Sequence, residues 1–533
     1  MIPAQVTPDQ VLTGHKQHIV AVSDIHLGTL APTVWYQPHL HEPYLVHLLR
    51  WVVDQADHIQ ELVLLGDIVD FWTYPADVRP PGFAEIAACH PAIFGLDGHL
   101  AAVLDALDGR VAYVPGNHDQ GITADEVASI RSRGGHHVRL VEEVPYSPAP
   151  GLALAHGHHD TLFNAPTTTG PWAPLPLGYF VTRAVATRWS QGLGEGKTVA
   201  ELAGQGAPNG IDLKSLAGVV SGVGARSVAA TLIDFIAGAT AMTPLDPIVL
   251  PDGSTATLLD VRAAYAECWT EWADAHGGGR VGQGAAARAA LADFDGSYLG
   301  WFAQRMAFEH GADLVVMGHT HVPVGGLDGS LVNYVNTGFD CPSQPDLSRE
   351  LVPQHVTFAV IDTKPPGAAD GDADPIDAAI WAVEETDGAY CCHPIDVAST
   401  TVTHGTSMDF SCYVVVDNRH GAADLELVDH QVLAGTFVVP PPARIAAGAE
   451  GRFWVQDLIG AAGSSGTATY RRTDRPEQLV DLAFECPTAG TNSCRGPGAF
   501  ATRAADGPWR DDRVAHWGHP FFVEFEIHPS SSA

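Results

Sequence analysis

The sequence predicts an α/β domain that carries an inserted helical cap and is followed by an all-β sandwich. Three observations predict it. From His18 to Asp160, short apolar runs alternate with stretches of helical spacing. From about Leu175 to Glu309 the chain turns mostly helical and rich in Ala and Gly. From Met408 to Pro529 short alternating runs recur between Gly, Pro, Asn and Asp turns. The expected organisation is a domain over 1–400 with the cap at 165–309, and an accessory sandwich over 406–533.

In the first domain, His18–Ser23 reads as a strand, Tyr44–Ala56 as a helix and Leu62–Leu65 as the next strand, a βαβ unit. His99–Leu107 is helical, Val111–Val114 a strand, Ala124–Arg133 helical and Gly151–Ala155 a strand. Cap helices are expected at Tyr179–Ser190, Leu213–Met242, Leu258–Ala275 and Ala285–Glu309. Leu314–Met317, Tyr334–Phe339 and Val356–Thr363 resume the strands, and Lys364–Pro375 is a loop before a returning strand at Ala378–Glu385. The polar stretch Val397–Gly405 marks the domain boundary. Sandwich strands are expected at Cys412–Val416, Leu425–Val428, Thr436–Val439, Arg452–Val455, Thr467–Tyr470, Leu479–Phe484 and Phe521–Ile527, in an antiparallel arrangement.

The chain has 533 residues, 28 basic and 62 acidic, for a formal charge of −34. Such a surface repels nucleic-acid polymers and anionic membranes, so a phosphate substrate must meet local positive charge, most simply metal ions. No basic segment followed by an apolar run opens the chain, and eight cysteines in this length are no disulfide scaffold, so a cytoplasmic protein with free thiols is expected. Cys486 and Cys494 could pair in an oxidising setting.

Five blocks follow apolar strands: Asp24-x-His26, Gly66-Asp67-x-x-Asp70, Gly116-Asn117-His118-Asp119, His156-Gly157-His158 and Gly318-His319-x-His321. Carboxyl ends of strands are where ligands bind in open α/β sheets. Strand alternation would point Asp24 with His26, and His319 with His321, to one side. Carboxylate, imidazole and amide oxygen without thiolate favour two divalent or trivalent transition-metal ions, Mn²⁺, Fe or Zn²⁺. Two cations roughly 3.5–4 Å apart need a shared anionic ligand, and Asp67 has that chemistry. His118 follows Asn117 by one residue, points elsewhere, and is placed to protonate a leaving alkoxide. Asp119 or Asp70 would orient it.

The ordered set D-x-H, G-D-x-x-D, G-N-H-D, H and G-H-x-H resembles the calcineurin-like metallophosphoesterases. The resemblance implies a two-sheet α/β sandwich flanked by helices, with a dinuclear site at the strand ends. One metal would take Asp24, His26, Asp67 and His321. The second would take Asp67, Asn117, His319 and either His156 or His158, with His156 matching the pattern best. It implies hydrolysis of a phosphodiester, phosphoanhydride or phosphomonoester by a metal-bridging hydroxide, with His118 as general acid and Asn117 and His118 meeting the phosphoryl group. SDIHLG, GDIVDFW and the helical insertion resemble the branch that includes UDP-2,3-diacylglucosamine pyrophosphatases. The insertion is longer here and a second domain follows, so that substrate is not carried over.

The C-terminal stretch resembles aegerolysin-like β-sandwich proteins in Val416-x-Asn418, the Pro442, Ile445 and Gly448 stretch, and Gly463-x-x-Gly466-x-x-x-Tyr470. That implies a peripheral lipid or protein partner. The competing reading from another class is a lipid- or partner-binding protein on a catalytically silent scaffold.

Plainer roles are weighed beside these. Asp70 and Asp119 could cap helices. Trp172, Phe180, Trp189, Trp269, Trp272, Trp301 and Phe302 could line a groove for an apolar group on the substrate, but are expected to form the cap's own core. Arg183, Arg188 and Lys197 could meet a phosphate, but are expected to be surface charge. Cys391 and Cys392 are expected to be free thiols.

Overall fold

The computed structural model describes residues 9–199, 228–276, 297–328, 330–338, 356–363, 376–401, 410–457, 462–496, 500–504, 510, 514–516 and 519–527. The first domain is built on a seven-stranded sheet. Its centre is β1 (His18–Val22), β2 (Ile59–Leu65), β3 (Val111–Val114) and β4 (Arg139–Leu140), all parallel. On the other side β1 pairs antiparallel with β11 (Val356–Asp362), which continues through β12 (Asp377–Thr386) and β13 (Ala389–Pro394). A second, parallel sheet holds β5 (Leu152–Leu154), β8 (Leu314–Met317) and β10 (Asn333–Asn336) in the order β10-β8-β5.

The near-continuous apolar runs are explained by burial on both faces. Ile19, Ala21, Val63, Leu65, Ala112 and Val114 share one core with Leu152, Leu154, Leu314 and Val316, which places the two sheets face to face. The alternate residues Val20, Val22, Leu62 and Leu64 join a second core with Leu45, Leu48 and Val52 of helix α1 and Leu100, Val103 and Leu104 of helix α4. α1 (Pro38–Asp54) starts six residues earlier than its apolar spacing suggests; Pro38 opens it and Pro43 lies within it. α2 (Phe83–Cys89), α3 (Pro91–Phe94) and α4 (His99–Ala106) follow β2. α5 ends at Ala128 rather than Arg133, because the chain turns back and Arg131 bridges to His137.

In the cap, α6 (Leu177–Gly192), α7 (Val228–Thr240), α8 (Leu258–Ala264), α9 (Cys268–Ala275) and α10 (Ser297–His310) are joined by a hairpin of β6 (Pro247–Val249) and β7 (Thr255–Thr257). The expected helix over Leu258–Ala275 is two, broken at Tyr265, whose hydroxyl donates to Leu175 O. The first parts of the expected Leu213–Met242 and Ala285–Glu309 helices lie outside the described residues, as do the Lys364–Pro375 loop and the end of the boundary stretch. Phe180, Trp189, Trp269, Trp272, Trp301 and Phe302 are buried in the core, with Trp172 packed against it. Arg183 is not surface charge. It is fully buried, because its donors serve the carbonyls of Tyr74, Pro75 and Val249 and the Tyr179 hydroxyl. Lys197 is exposed as expected.

β14 (Thr400–Thr401) pairs with β9 (Leu327–Asp328), so the first domain holds the chain to that point. The C-terminal region is an all-β sandwich of a five-stranded and a six-stranded sheet. It departs from an all-antiparallel pattern where β15 (Cys412–Asp417) runs parallel to β25 (Phe521–Ile527). Cys412, Val414 and Val416 face the sandwich core, while Tyr413 and Val415 belong to the core of the first domain, with Trp454 and Phe522. The sandwich is therefore docked on the cap helix α10. Phe308 meets Tyr413 at 5.2 Å, and the Arg305 guanidinium lies 4.5 Å from the Trp454 ring and 4.8 Å from Trp301. Arg452 pairs with Asp313, just ahead of β8.

No disulfide joins Cys486 to Cys494 or Cys391 to Cys392. Cys494 stands opposite Phe484, which leaves Cys486 diagonal to it, about 7–8 Å away in a regular ladder and beyond disulfide reach. Among the described residues no single helix is long and apolar enough to cross a membrane.

Candidate metal centre

The ends of β1, β2, β3, β5 and β8 deliver the five blocks to one place. Strand alternation is not what turns the side chains inward. The strands stop first, and Asp24, His26, Asp67, His319 and His321 all take positive φ, between 52° and 74°. A left-handed backbone costs a non-glycine residue about 1–3 kcal/mol and persists only where the surroundings enforce it. Here the enforcement is explicit. His26 N donates to Asp67 O at 2.8 Å, Asp70 N to Leu27 O at 2.9 Å and Gly318 N to His156 O at 3.1 Å. Two glycines are required by close approach. Gly66 has φ +84°, and a Cβ there would stand 2.4 Å from His156 Nδ1; one on Gly116 would stand 2.2 Å from Asp67 Oδ1.

Asp67 sits at the middle. His156 Nε2 is 3.2 Å and His26 Nε2 3.8 Å from its Oδ2, while Oδ1 accepts from His118 N at 2.7 Å. Asp24 lies 3.5 Å from His321 Nε2 and 3.9 Å from His156 Nε2, and both its oxygens accept from His319 N. His26 Nε2 faces His321 Nε2 at 3.1 Å. The donor atoms of Asp24, His26 and His321 lie within 4.8 Å of one another, and so do those of Asp67, His156 and His319. All six residues are buried. A carbonyl cannot donate, so the 2.9 Å contact with Leu65 O assigns a proton to His156 Nδ1 and leaves Nε2 as its ligand atom. His319 Nε2 is held by Thr161 Oγ1 at 3.0 Å and Asn164 Nδ2 at 3.3 Å.

Of the two fourth-block candidates, His156 is in this cluster. His158 starts the following 3₁₀ turn, its ring centre 5.4 Å from that of His156 and outside both groups of donors, and His159 is exposed. Asn117 is buried with no protein partner for Oδ1. His118 does not point away from the cluster. Its ring meets His26 edge-on at 4.6 Å and stacks on Trp72 at 4.3 Å, and Nδ1 is 3.1 Å from Asp70 Oδ1. Asp119 does not orient it. Its oxygens are taken by Ile68 N, Gly116 N and the Tyr113 hydroxyl, so it ties the turns after β2 and β3 together.

The electrostatics suit a cation. Burial opposes charge on Asp67, but His156, His118 and His26 outweigh it and hold the carboxyl well below its usual range. Burial pushes His319 down to about 3 and His321 and His158 well below the usual imidazole range, which favours their neutral forms. Burial also disfavours a charged His156, yet Asp67 and Asp24 raise it to about 9. His118 is likewise raised, Asp70 and Asp67 overcoming burial. Asp119 is pushed up to about 6, by burial first and then by Asp67.

Trp35 and Trp72 are in contact with the site histidines without having been singled out by the motif blocks. Trp72 ends the GDIVDFW run, but Trp35 lies in a loop with no metal-ligand residue beside it.

No protein-family model matches the chain, and no curated protein matches it. Among solved structures, the lipid-binding protein Nakanori is 13% identical, with a TM-score of 0.17, covering 22% of this chain and 69% of its own. IP-1A from Alcaligenes faecalis is 15% identical, with a TM-score of 0.16, covering 22% of this chain and 89% of its own. RahU protein in complex with Tris is 12% identical, with a TM-score of 0.19, covering 23% of this chain and 97% of its own. They are loose fits to the C-terminal β-sandwich.

Proposed function

We propose that this protein is a metal-dependent phosphoesterase of the calcineurin-like kind, hydrolysing a phosphodiester, phosphoanhydride or phosphomonoester. The observation that carries the reading is the meeting of Asp24, His26, Asp67, His156, His319 and His321 from separate strand ends, with His118 alongside. The donor set fits a pair of transition-metal ions. His321 Nδ1 and Asn117 Oδ1 are buried and lack hydrogen-bond partners among the described residues, and a cation is the kind of group that satisfies such atoms. Asp24, His26, Asp67 and His321 would hold one ion; Asp67, Asn117, His156 and His319 would hold the other. When bound, the ions supply Lewis acidity and an activated water for attack at phosphorus.

The chain's own groups do the rest. Asp67 presents a full negative charge between the two ligand sets. Asp70 holds His118 protonated, and His118 delivers that proton to the leaving oxygen. Trp72 fixes the plane of the imidazole by stacking. The cap selects what is attached to phosphate.

The test is hydrolysis of bis-p-nitrophenyl phosphate with added Mn²⁺, together with metal analysis. Wild type should bind transition metal and turn over; Asp67→Ala should lose both, and His118→Ala should keep metal and lose turnover. A wild-type protein that takes up no transition metal rejects the reading.

A second reading concerns the sandwich. Val428, Leu433, Val438 and Leu479 are exposed apolar side chains on it, which favours a peripheral lipid or protein partner there. Liposome flotation of the whole chain tests this. The isolated sandwich is a poor probe, because it would bare Tyr413, Trp454 and Phe522.

A further inference from the structure

Trp35 lies in the loop between β1 and α1, and only 6% of it is exposed. Its ring is 4.6 Å from that of His26, 5.1 Å from His118 and 5.8 Å from His321, so it touches both the ligand set and the acid. The indole Nε1–H is buried and has no hydrogen-bond partner among the described residues. Buried donors in folded proteins nearly always find an acceptor, and an orphan asks for an explanation.

The nearby carboxylates do not provide one. Asp24 accepts from His319 N, Asp67 from His118 N, Asp70 from Trp72 N and Thr73 N, and Asp119 from Ile68 N and Gly116 N. The loop is also fixed in place. The Thr33 hydroxyl donates to Thr73 O at 2.7 Å, Val199 N to Pro32 O at 2.9 Å and Gln37 Nε2 to Val34 O at 2.8 Å.

We infer that Trp35 is a substrate-binding group, its indole N–H donating to an oxygen of the phosphoryl group that enters beside His118. The inference rests on the phosphoesterase reading above. An indole is a donor only: it does not titrate and does not ligate cations. It can therefore sit among metal ligands without competing for metal or proton, and still stabilise charge growing on a phosphoryl oxygen. A donor held in place beforehand needs no reorganisation when that charge appears.

The experiment uses Zn²⁺-loaded full-length protein, wild type and Trp35→Phe, with inorganic phosphate as the binding probe. Trp35→Phe keeps the ring packing and removes the N–H. Zinc content should be unchanged, the phosphate dissociation constant should rise about tenfold, and kcat on bis-p-nitrophenyl phosphate should fall about 10²-fold with a smaller change in KM. Equal phosphate affinity and equal kcat in an active pair of proteins overturn this inference and leave the phosphoesterase reading standing. A zinc-loaded wild type that neither binds phosphate nor turns over removes the reading and the inference together. If Trp35→Phe does not fold, the wild type answers alone: one of its 12 indole N–H resonances should move downfield on adding phosphate, and no movement overturns the assignment.

Discussion

Asp70 holds His118, with its Oδ1 3.1 Å from His118 Nδ1. The other oxygen of the same carboxylate lies 3.1 Å from His26 Nδ1, so one side chain positions both the proposed acid and a proposed ligand. Burial disfavours a charged imidazole at His118, and Asp70 is the largest contribution opposing it. Asp70→Asn should therefore lower the pKa of His118. A general acid works in its protonated form, so the alkaline limb of the kcat profile should move to lower pH. A loss of about 10–100-fold in kcat at neutral pH should accompany it. A pH–rate profile in which the limb stays put would remove Asp70 from this role.

His156 suggests a linked proton. In the metal-free protein its charge is held to about pH 9 by Asp67 and Asp24, yet Nε2 must be bare to ligate. Metal uptake at neutral pH should then release a proton, and affinity should rise with pH until about 9, by about tenfold per unit for one proton released. Zinc titration in two buffers of different ionisation enthalpy measures the proton count. His156→Ala should weaken binding and abolish that part of the release.

Arg183 is the buried strut between cap and site. Its guanidinium ties α6 to the Tyr74–Pro75 carbonyls, just beyond Trp72, which stacks on His118. Arg183→Met keeps the bulk and strips the buried donor from the Tyr74 carbonyl, leaving Pro75 O only its bond from Val78 N. A loss of about 2–4 kcal/mol of stability is expected, read from chemical denaturation. Activity should fall as well, because the loop carrying Trp72 loses its anchor. Arg183→Lys should recover only part of either, since one ammonium cannot serve four acceptors spread as these are.

The residues that cluster at the candidate site were legible because each block follows an apolar run: Leu62–Leu65 leads into Asp67 and Leu314–Met317 into His319. Where strand ends converge, polar residues beyond them have little to do but bind. What was not legible depends on three-dimensional accidents of packing. The left-handed turns at Asp24 and His26 are imposed by hydrogen bonds from the neighbouring strand's turn, which no local propensity encodes. Arg183 looked like solvated charge because most arginines are. Its burial follows from carbonyls about a hundred residues upstream in the chain that turn toward it. Asp119 sits one residue from His118 in sequence but turns to Tyr113 and Gly116 in space. The tail's strands were legible from alternation. That Tyr413 would be covered by α10 was not, since a strand buried on both faces looks the same whichever layer covers it.

That covered face yields the last prediction. Trp454 is fully buried, stacks with Tyr413 at 5.2 Å, and has the Arg305 guanidinium 4.5 Å from its ring centre. Arg305 belongs to α10, whose other contacts reach β8, the strand that carries His319 and His321 at its end. The sandwich is thus part of the support beneath the candidate metal site rather than a module on a tether. Trp454→Ala should cost about 3–5 kcal/mol, the range for emptying a buried aromatic site, and most of that should appear in the first domain's unfolding transition as well as in the sandwich's own. Removal of 406–533 should go further, baring Phe308 and the Arg305 guanidinium on α10 and driving the remaining chain to aggregate. Differential scanning calorimetry of the variant and size-exclusion chromatography of the truncated chain measure the two effects. Two independent transitions, with only the sandwich's shifted by Trp454→Ala, would show the interface to be without mechanical consequence for the site.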